Sequence, residues 1–213
     1  MQTTSDWIVP LCDTSAGLPL AGGKGASLAR LAAAGLPVPP GFHITTAAYR
    51  KFVAAYGLQE QILACVSMIN SDQPATLEEA SRRIGQLFAQ HAIPDEIAEA
   101  IGRVYAGFEE GNMPVAVRSS ATAEDLPGLS FAGQQETYLN ICGTKAVLEA
   151  VKMCWASLWT ARAIDYRARN HISPQEVSLA VIVQRLIPAE AAGILFTADP
   201  VSGLRDRTLI SAS

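Results

Sequence analysis

The sequence predicts an α+β fold, on three observations. Residues 25–111 are mostly helix-forming. Residues 112–141 switch to two short β runs around a long polar turn. After one more helical stretch, apolar β-branched runs follow one another from residue 179.

The elements follow in order. Residues 7–11 read as a short strand, with a turn at Gly17 and Pro19. Residues 26–34 favour a helix with Leu28 and Leu31 on one face. Gly35 is a natural stop, and Pro37, Pro39 and Pro40 forbid continuation. Thr45 or Thr46 can cap a helix carrying Tyr49, Phe52 and Val53. Within residues 58–111, Thr76-Leu77-Glu78-Glu79 fits a capping box ahead of Ile84, Leu87 and Phe88. Pro94 opens a helix whose buried stripe is Ile97, Ile101, Val104, Tyr105 and Phe108, ending at Gly111. These helices read as scaffold without chemistry. Residues 113–118 and 136–141 are the two strands of a hairpin. Thr144 starts a long helix to about residue 169, with Val147, Val151, Cys154, Trp155 and Leu158 on one side. Residues 179–187 and 192–197 are β runs joined at Pro188, and residues 208–210 begin a last strand. The best internal boundary lies near Pro188, dividing residues 1–187 from residues 188–213. Ser213 closely follows an apolar strand, so the sequence reads as the front part of a longer protein.

Apolar residues make up 49% of the 213 and charged residues 17%, enough for a sizeable core and too little charge for wholesale disorder. The net charge of −4 disfavours a general nucleic-acid binder, so any anion site is local. Cys12, Cys65, Cys142 and Cys154 show no CxxC spacing, and His43, His91 and His171 are scattered. Zinc and disulfide frameworks are therefore disfavoured, and reduced thiols in a cytoplasmic protein are expected. Residues 1–11 lack a signal peptide's basic start, and no run reaches the roughly 20 apolar residues that span a bilayer.

Two regions carry candidate chemistry. Gly22-Gly23-Lys24-Gly25 is not a P-loop: Leu18 stands where the first glycine belongs, and Gly25 replaces the Ser or Thr after the lysine. Its glycines still let backbone approach an anion, the helix behind it offers its N-terminal dipole, and Lys24 adds a charge. The ordinary reading is a flexible helix start with a solvated lysine. The second region is residues 115–141. Arg118 closes a buried strand, Val115-Ala116-Val117, with hydroxyls at Ser119, Ser120 and Thr122. The loop Phe131-Ala132-Gly133-Gln134-Gln135 leads into Thr137 and Tyr138. A cation facing small residues with exposed backbone N–H groups can hold phosphate. An ion pair of Arg118 with Glu124 or Asp125 is the equal alternative. Together the two regions suggest a nucleoside triphosphate site. Gln184, inside an apolar strand, needs a partner, either backbone or a ligand's ribose or base. The histidines read as surface or satisfied core, and the tryptophans as core.

GGKGASL, GLPVPPGFHITTAAY, VRSSATAEDLPGLSFAGQQETYLNI, CWASLWTARAIDYR and GILFTADPVSG, in this order, resemble the N-terminal nucleotide-binding domain of the phosphoenolpyruvate synthase and pyruvate phosphate dikinase family, which includes rifampicin phosphotransferase-like enzymes. The resemblance covers about residues 20–213, residues 58–111 matching only in type. It implies an ATP-grasp fold, with residues 1–187 as the first subdomain and residues 188–213 as the start of a second. It implies that Lys24 and Arg118 contact the ATP phosphates as catalytic stabilisers. Gly133, Thr137 and Tyr138 would fold over them, and Gln184 would lie near the adenine. A phosphoryl group would pass from ATP to a histidine on a separate domain, then to pyruvate or an antibiotic hydroxyl. The FTADPVSG form leans toward the rifampicin-type or an uncharacterised synthase-like branch. The family's Mg²⁺ ligands lie beyond the last strand here, as do the histidine and acceptor domains. No metal ligand is therefore expected within this chain, and turnover is expected of the longer protein, not of these residues alone. The exposed last strand leaves an oligomer as an open expectation. A stand-alone nucleotide-binding or interaction module without catalysis is the competing reading.

Overall fold

The computed structural model describes residues 6–70, 73–108, 112–122 and 136–212. The order is β1 (Ile8–Pro10), α1 (Leu18–Ala33), β2 (Gly41–Ile44), α2 (Thr46–Ala55), α3 (Leu58–Ser67), α4 (Pro74–Gln90), α5 (Asp95–Ala106), β3 (Val115–Ala121), β4 (Thr137–Ile141), α6 (Thr144–Ser157), α7 (Ala161–Arg169), β5 (Leu179–Arg185), β6 (Gly193–Phe196) and β7 (Leu209–Ala212). This is the mixed α+β composition expected. An antiparallel sheet runs β1-β2-β5-β3-β4, and β6 with β7 forms a separate antiparallel ribbon.

β5 is central because its sequence, LAVIVQR, suits burial on both faces. It pairs with β3 along seven residues, from Val115↔Arg185 to Ala121↔Leu179. Side chains of successive strand residues alternate between faces. Val115, Val117, Ala121, Leu179, Val181 and Val183 point to one face and join the main core under the helices. Trp155 and Phe52 anchor that core, fully buried with ring centroids 5.1 Å apart. The other face of the sheet is covered by α1.

Several local expectations are corrected. The long helix over residues 144–169 is two helices. Thr160 caps α7, its hydroxyl accepting from the Ala163 N–H at 3.3 Å, and the break turns Trp159 inward to donate from Nε1 to the Tyr49 hydroxyl at 3.0 Å. The capping box at Thr76 does not form. Proline at a first helical position wins, so α4 begins at Pro74, and Glu79 pairs with Arg82 and Arg83 instead. β2 was not predicted; four residues behind a proline run leave little pattern. The α1 helix starts eight residues before the expected residue 26, and Leu31 is exposed. Thr45 is the N-cap of α2, but its hydroxyl donates to the Asp6 carbonyl, and that of Thr46 to the Pro19 carbonyl. Val104 is also exposed, while Gly107 ends α5 and Gly111 lies outside the described residues. All four cysteines are free. Among the described residues no helix is long and apolar enough to cross a membrane.

Candidate functional site

The α1 face of the sheet is where the predicted residues gather, and the strand register explains why. Directly opposed residues of antiparallel strands share a face. One row across the sheet reads His43–Ile182–Arg118–Thr137. The neighbouring row reads Gly41–Gln184–Ala116, and on the other side Ser120 faces Ala180. Arg118 is therefore mid-strand, not terminal as expected, because β3 continues through Ala121. It is part-exposed, and among the described residues its guanidinium makes no hydrogen bond or ion pair. Glu124 and Asp125, the alternative partners, lie outside the described residues.

The glycine motif is brought to this face by Ser120, two residues along the same strand. Its hydroxyl donates to the Ala21 carbonyl at 2.7 Å and accepts the Gly25 N–H at 3.1 Å, both bonds buried. Between them α1 is kinked at Gly22, with φ 70° and ψ 178°. Gly22 is required twice over. Its φ lies in the left-handed region, and a Cβ there would fall 2.2 Å from the Ser120 carbonyl oxygen. The kink starts a fresh helix at Gly23, so its positive end and the Lys24 backbone lie against β3. The Lys24 ammonium is felt at the Cys154 thiol of α6. That thiol is held up chiefly by burial and also by Glu136, and Lys24 draws it down.

His43 lies beneath the same turn. A Cβ on Gly25 would come within 3.1 Å of its Cε1 and Nδ1. The ring is fully buried, and among the described residues neither nitrogen has a partner in bonding geometry, the Leu11 backbone being the polar group that faces it. Burial holds its pKa below 6.5, with Leu11 and Asp13 pulling weakly the other way, so the imidazole is neutral at pH 7. The expectation of a surface or satisfied core histidine is thereby corrected for His43.

The remaining predicted residues divide. Thr137 is exposed and in register with Arg118. Tyr138 pairs with Val117 on the opposite face, packs against the core, and its phenol is pushed up to about 12 by burial. The register shift between Val115 and Val117 includes Asn140 at φ 57°, a bulge on β4. Gln184 is buried on the α1 face and donates from Nε2 to the Pro39 carbonyl at 3.0 Å, the backbone partner among the two considered. Gly133 lies outside the described residues. Among the described residues no cluster of three His, Cys, Asp or Glu side chains could hold a metal ion. The register thus puts Arg118 and Thr137 on one face, with Gln184 one row away, and the Ser120 bonds hold the Gly22–Gly25 turn that carries Lys24 against the same strand. Sequence reasoning missed Ser120's bridging role and the burial of His43; no local pattern reports a contact 95 residues apart.

Residues 18–213 match the family described as pyruvate phosphate dikinase, AMP/ATP-binding domain. A probable phosphoenolpyruvate synthase of Methanothermobacter thermautotrophicus is 44% identical over 91% of this chain, and the phosphoenolpyruvate synthase of Aeropyrum pernix 45% over 92%. The rifampicin phosphotransferase of Streptomyces sviceus is 47% identical over 90%. The matched regions are 29%, 24% and 22% of those relatives' lengths, so the chain spans about a quarter of each. With the family matched over nearly all its residues, this chain belongs to the pyruvate phosphate dikinase AMP/ATP-binding domain family.

Proposed function

We propose that the α1 face binds the phosphates of ATP in an ATP-grasp site, and that the intact protein transfers a phosphoryl group from ATP to a carrier histidine on a separate domain, then to pyruvate or another acceptor. One observation carries the reading: the strand that bears Arg118 also pins the Lys24 glycine turn through Ser120. Two cations and a helix N-terminus then converge on one strand, the arrangement that neutralises polyphosphate charge. Phosphoryl transfer is mainly positioning and charge stabilisation, so Lys24 and Arg118 act by holding and neutralising the phosphate oxygens. In this reading Gly133 and Thr137 join the phosphate contacts, and Gln184 lies toward the adenine. Tyr138 acts from the core side by seating β4. Residues 188–213 are the start of the second subdomain; among the described residues β6 and β7 pair with each other alone and are exposed throughout, which supports the division. Mg²⁺ would accompany the ATP phosphates, with its carboxylate ligands beyond the last strand of this chain, as the family resemblance implies.

The test is Arg118→Ala in the intact protein. ATP-dependent labelling of the carrier histidine is expected to disappear, while survival of labelling would overturn the role of Arg118. The 47% identity to a rifampicin phosphotransferase favours a second reading, an antibiotic hydroxyl as acceptor. Phosphorylation of rifampicin rather than pyruvate by the intact protein would select it.

A further inference from the structure

A second charged site lies in the helical layer. A cavity of about 220 Å³ is lined by Val66 of α3, Leu77 of α4, Ile164 and Arg167 of α7, Ile172 beyond it, and Trp159 at the α6–α7 break. Arg167 is 97% buried, and among the described residues its Nη2 has no hydrogen-bond acceptor and its guanidinium no carboxylate partner. Its guanidinium lies over the face of Trp159, with Cζ 4.8 Å from the ring centroid, and interacts electrostatically with the Tyr49 phenol. Burial lowers its pKa to about 10, so the group stays cationic at neutral pH. A cation–π contact is weak beside the desolvation of an unpaired buried charge. Arginines in helix C-terminal turns ordinarily reach solvent; Arg169, two residues on, is exposed and pairs with Asp165 at 2.9 Å. That pairing also engages the one carboxylate lining the cavity.

We infer that this cavity is a binding site for a small organic carboxylate, its carboxylate on the Arg167 guanidinium and its apolar body against Val66, Leu77, Ile164 and Ile172. Guanidinium and carboxylate match in a planar, two-bond geometry. The remaining walls are mostly aliphatic or aromatic, which favours an apolar body over a phosphate or a sugar. At about 220 Å³ the space falls below the roughly 300–1,000 Å³ typical of drug-sized ligands, so the occupant is small. α1 contributes no lining residue, so the site is independent of the nucleotide reading.

Titration of this chain with benzoate and with hexanoate, followed by the methyl NMR signals of Ile164 and Ile172, tests the inference. Benzamide serves as the neutral control. At least one carboxylate should saturate at about 1 mM or tighter, with benzamide at least about tenfold weaker. Arg167→Met should abolish carboxylate binding. If that variant fails to fold, the carboxylate–amide comparison on the natural chain decides alone. Failure of both carboxylates to bind, binding as tight for benzamide, or shifts confined to other residues would overturn the site.

Discussion

The two faces of the five-stranded sheet are built from the same strands and do opposite things. Toward the helices, β3 and β5 present Val115, Val117, Val181 and Val183 to a closed core around Trp155. Toward α1, the alternate residues of the same strands are Arg118, Ser120 and Gln184, joined by His43 of β2 and Thr137 of β4. One face stores stability in apolar burial. The other spends buried polar groups on holding a glycine turn beside an arginine. Substitution on the first should therefore act through folding alone, and on the second through position and charge.

The largest expected stability effect belongs to the closed face. Trp155→Ala should cost about 3–5 kcal/mol of unfolding free energy in denaturant titration, from lost burial and the cavity left behind. On the α1 face, Gly22→Ala combines a strained φ with a clash against the Ser120 carbonyl, and should cost at least about 2 kcal/mol in the same measurement. Ser120→Ala removes less. It strands the Gly25 N–H and Ala21 carbonyl in a buried setting, about 1–3 kcal/mol, and should weaken ATP binding by more than its effect on melting would suggest.

The smallest effect is a pH dependence. The folded pKa of His43 lies below 6.5 because of burial, so the unfolded chain takes up that proton first. Its contribution is constant above about pH 6.5, and stability falls as pH drops below that toward the folded pKa. His43→Gln should flatten the fall, measured as unfolding free energy between pH 7 and pH 5 against the natural chain. An equally steep fall in the variant would place the sensitivity elsewhere.

Much of the closed face was legible in the sequence. Ile84 with Phe88, and Ile97 with Ile101 and Tyr105, fall at helical spacing and are buried as read. Residues 181–183 announce a strand by β-branching. β2 escaped because Pro37, Pro39 and Pro40 dominate its surroundings, and the α6–α7 break escaped because apolar spacing runs on across Thr160. At the site, Lys24 and Arg118 stood out by charge beside small residues. What tied them together did not: Ser120 reads as one more hydroxyl until the register sets it against Gly25 and Ala21. The face of Tyr138 likewise depends on the β4 bulge, which shifts alternation by one residue. Arg167 looked like any basic residue near a helix end until Trp159 turned inward beneath it.

The most direct test of the α1 face as the phosphate site is calorimetric titration of the intact protein with ATP and Mg²⁺, comparing the natural sequence with Lys24→Ala and Arg118→Ala. Each variant should melt within about 2 °C of the natural protein, as expected for changes outside the closed core, yet bind ATP at least about tenfold more weakly. Unchanged affinity in both variants would contradict the account and move the phosphates off this face.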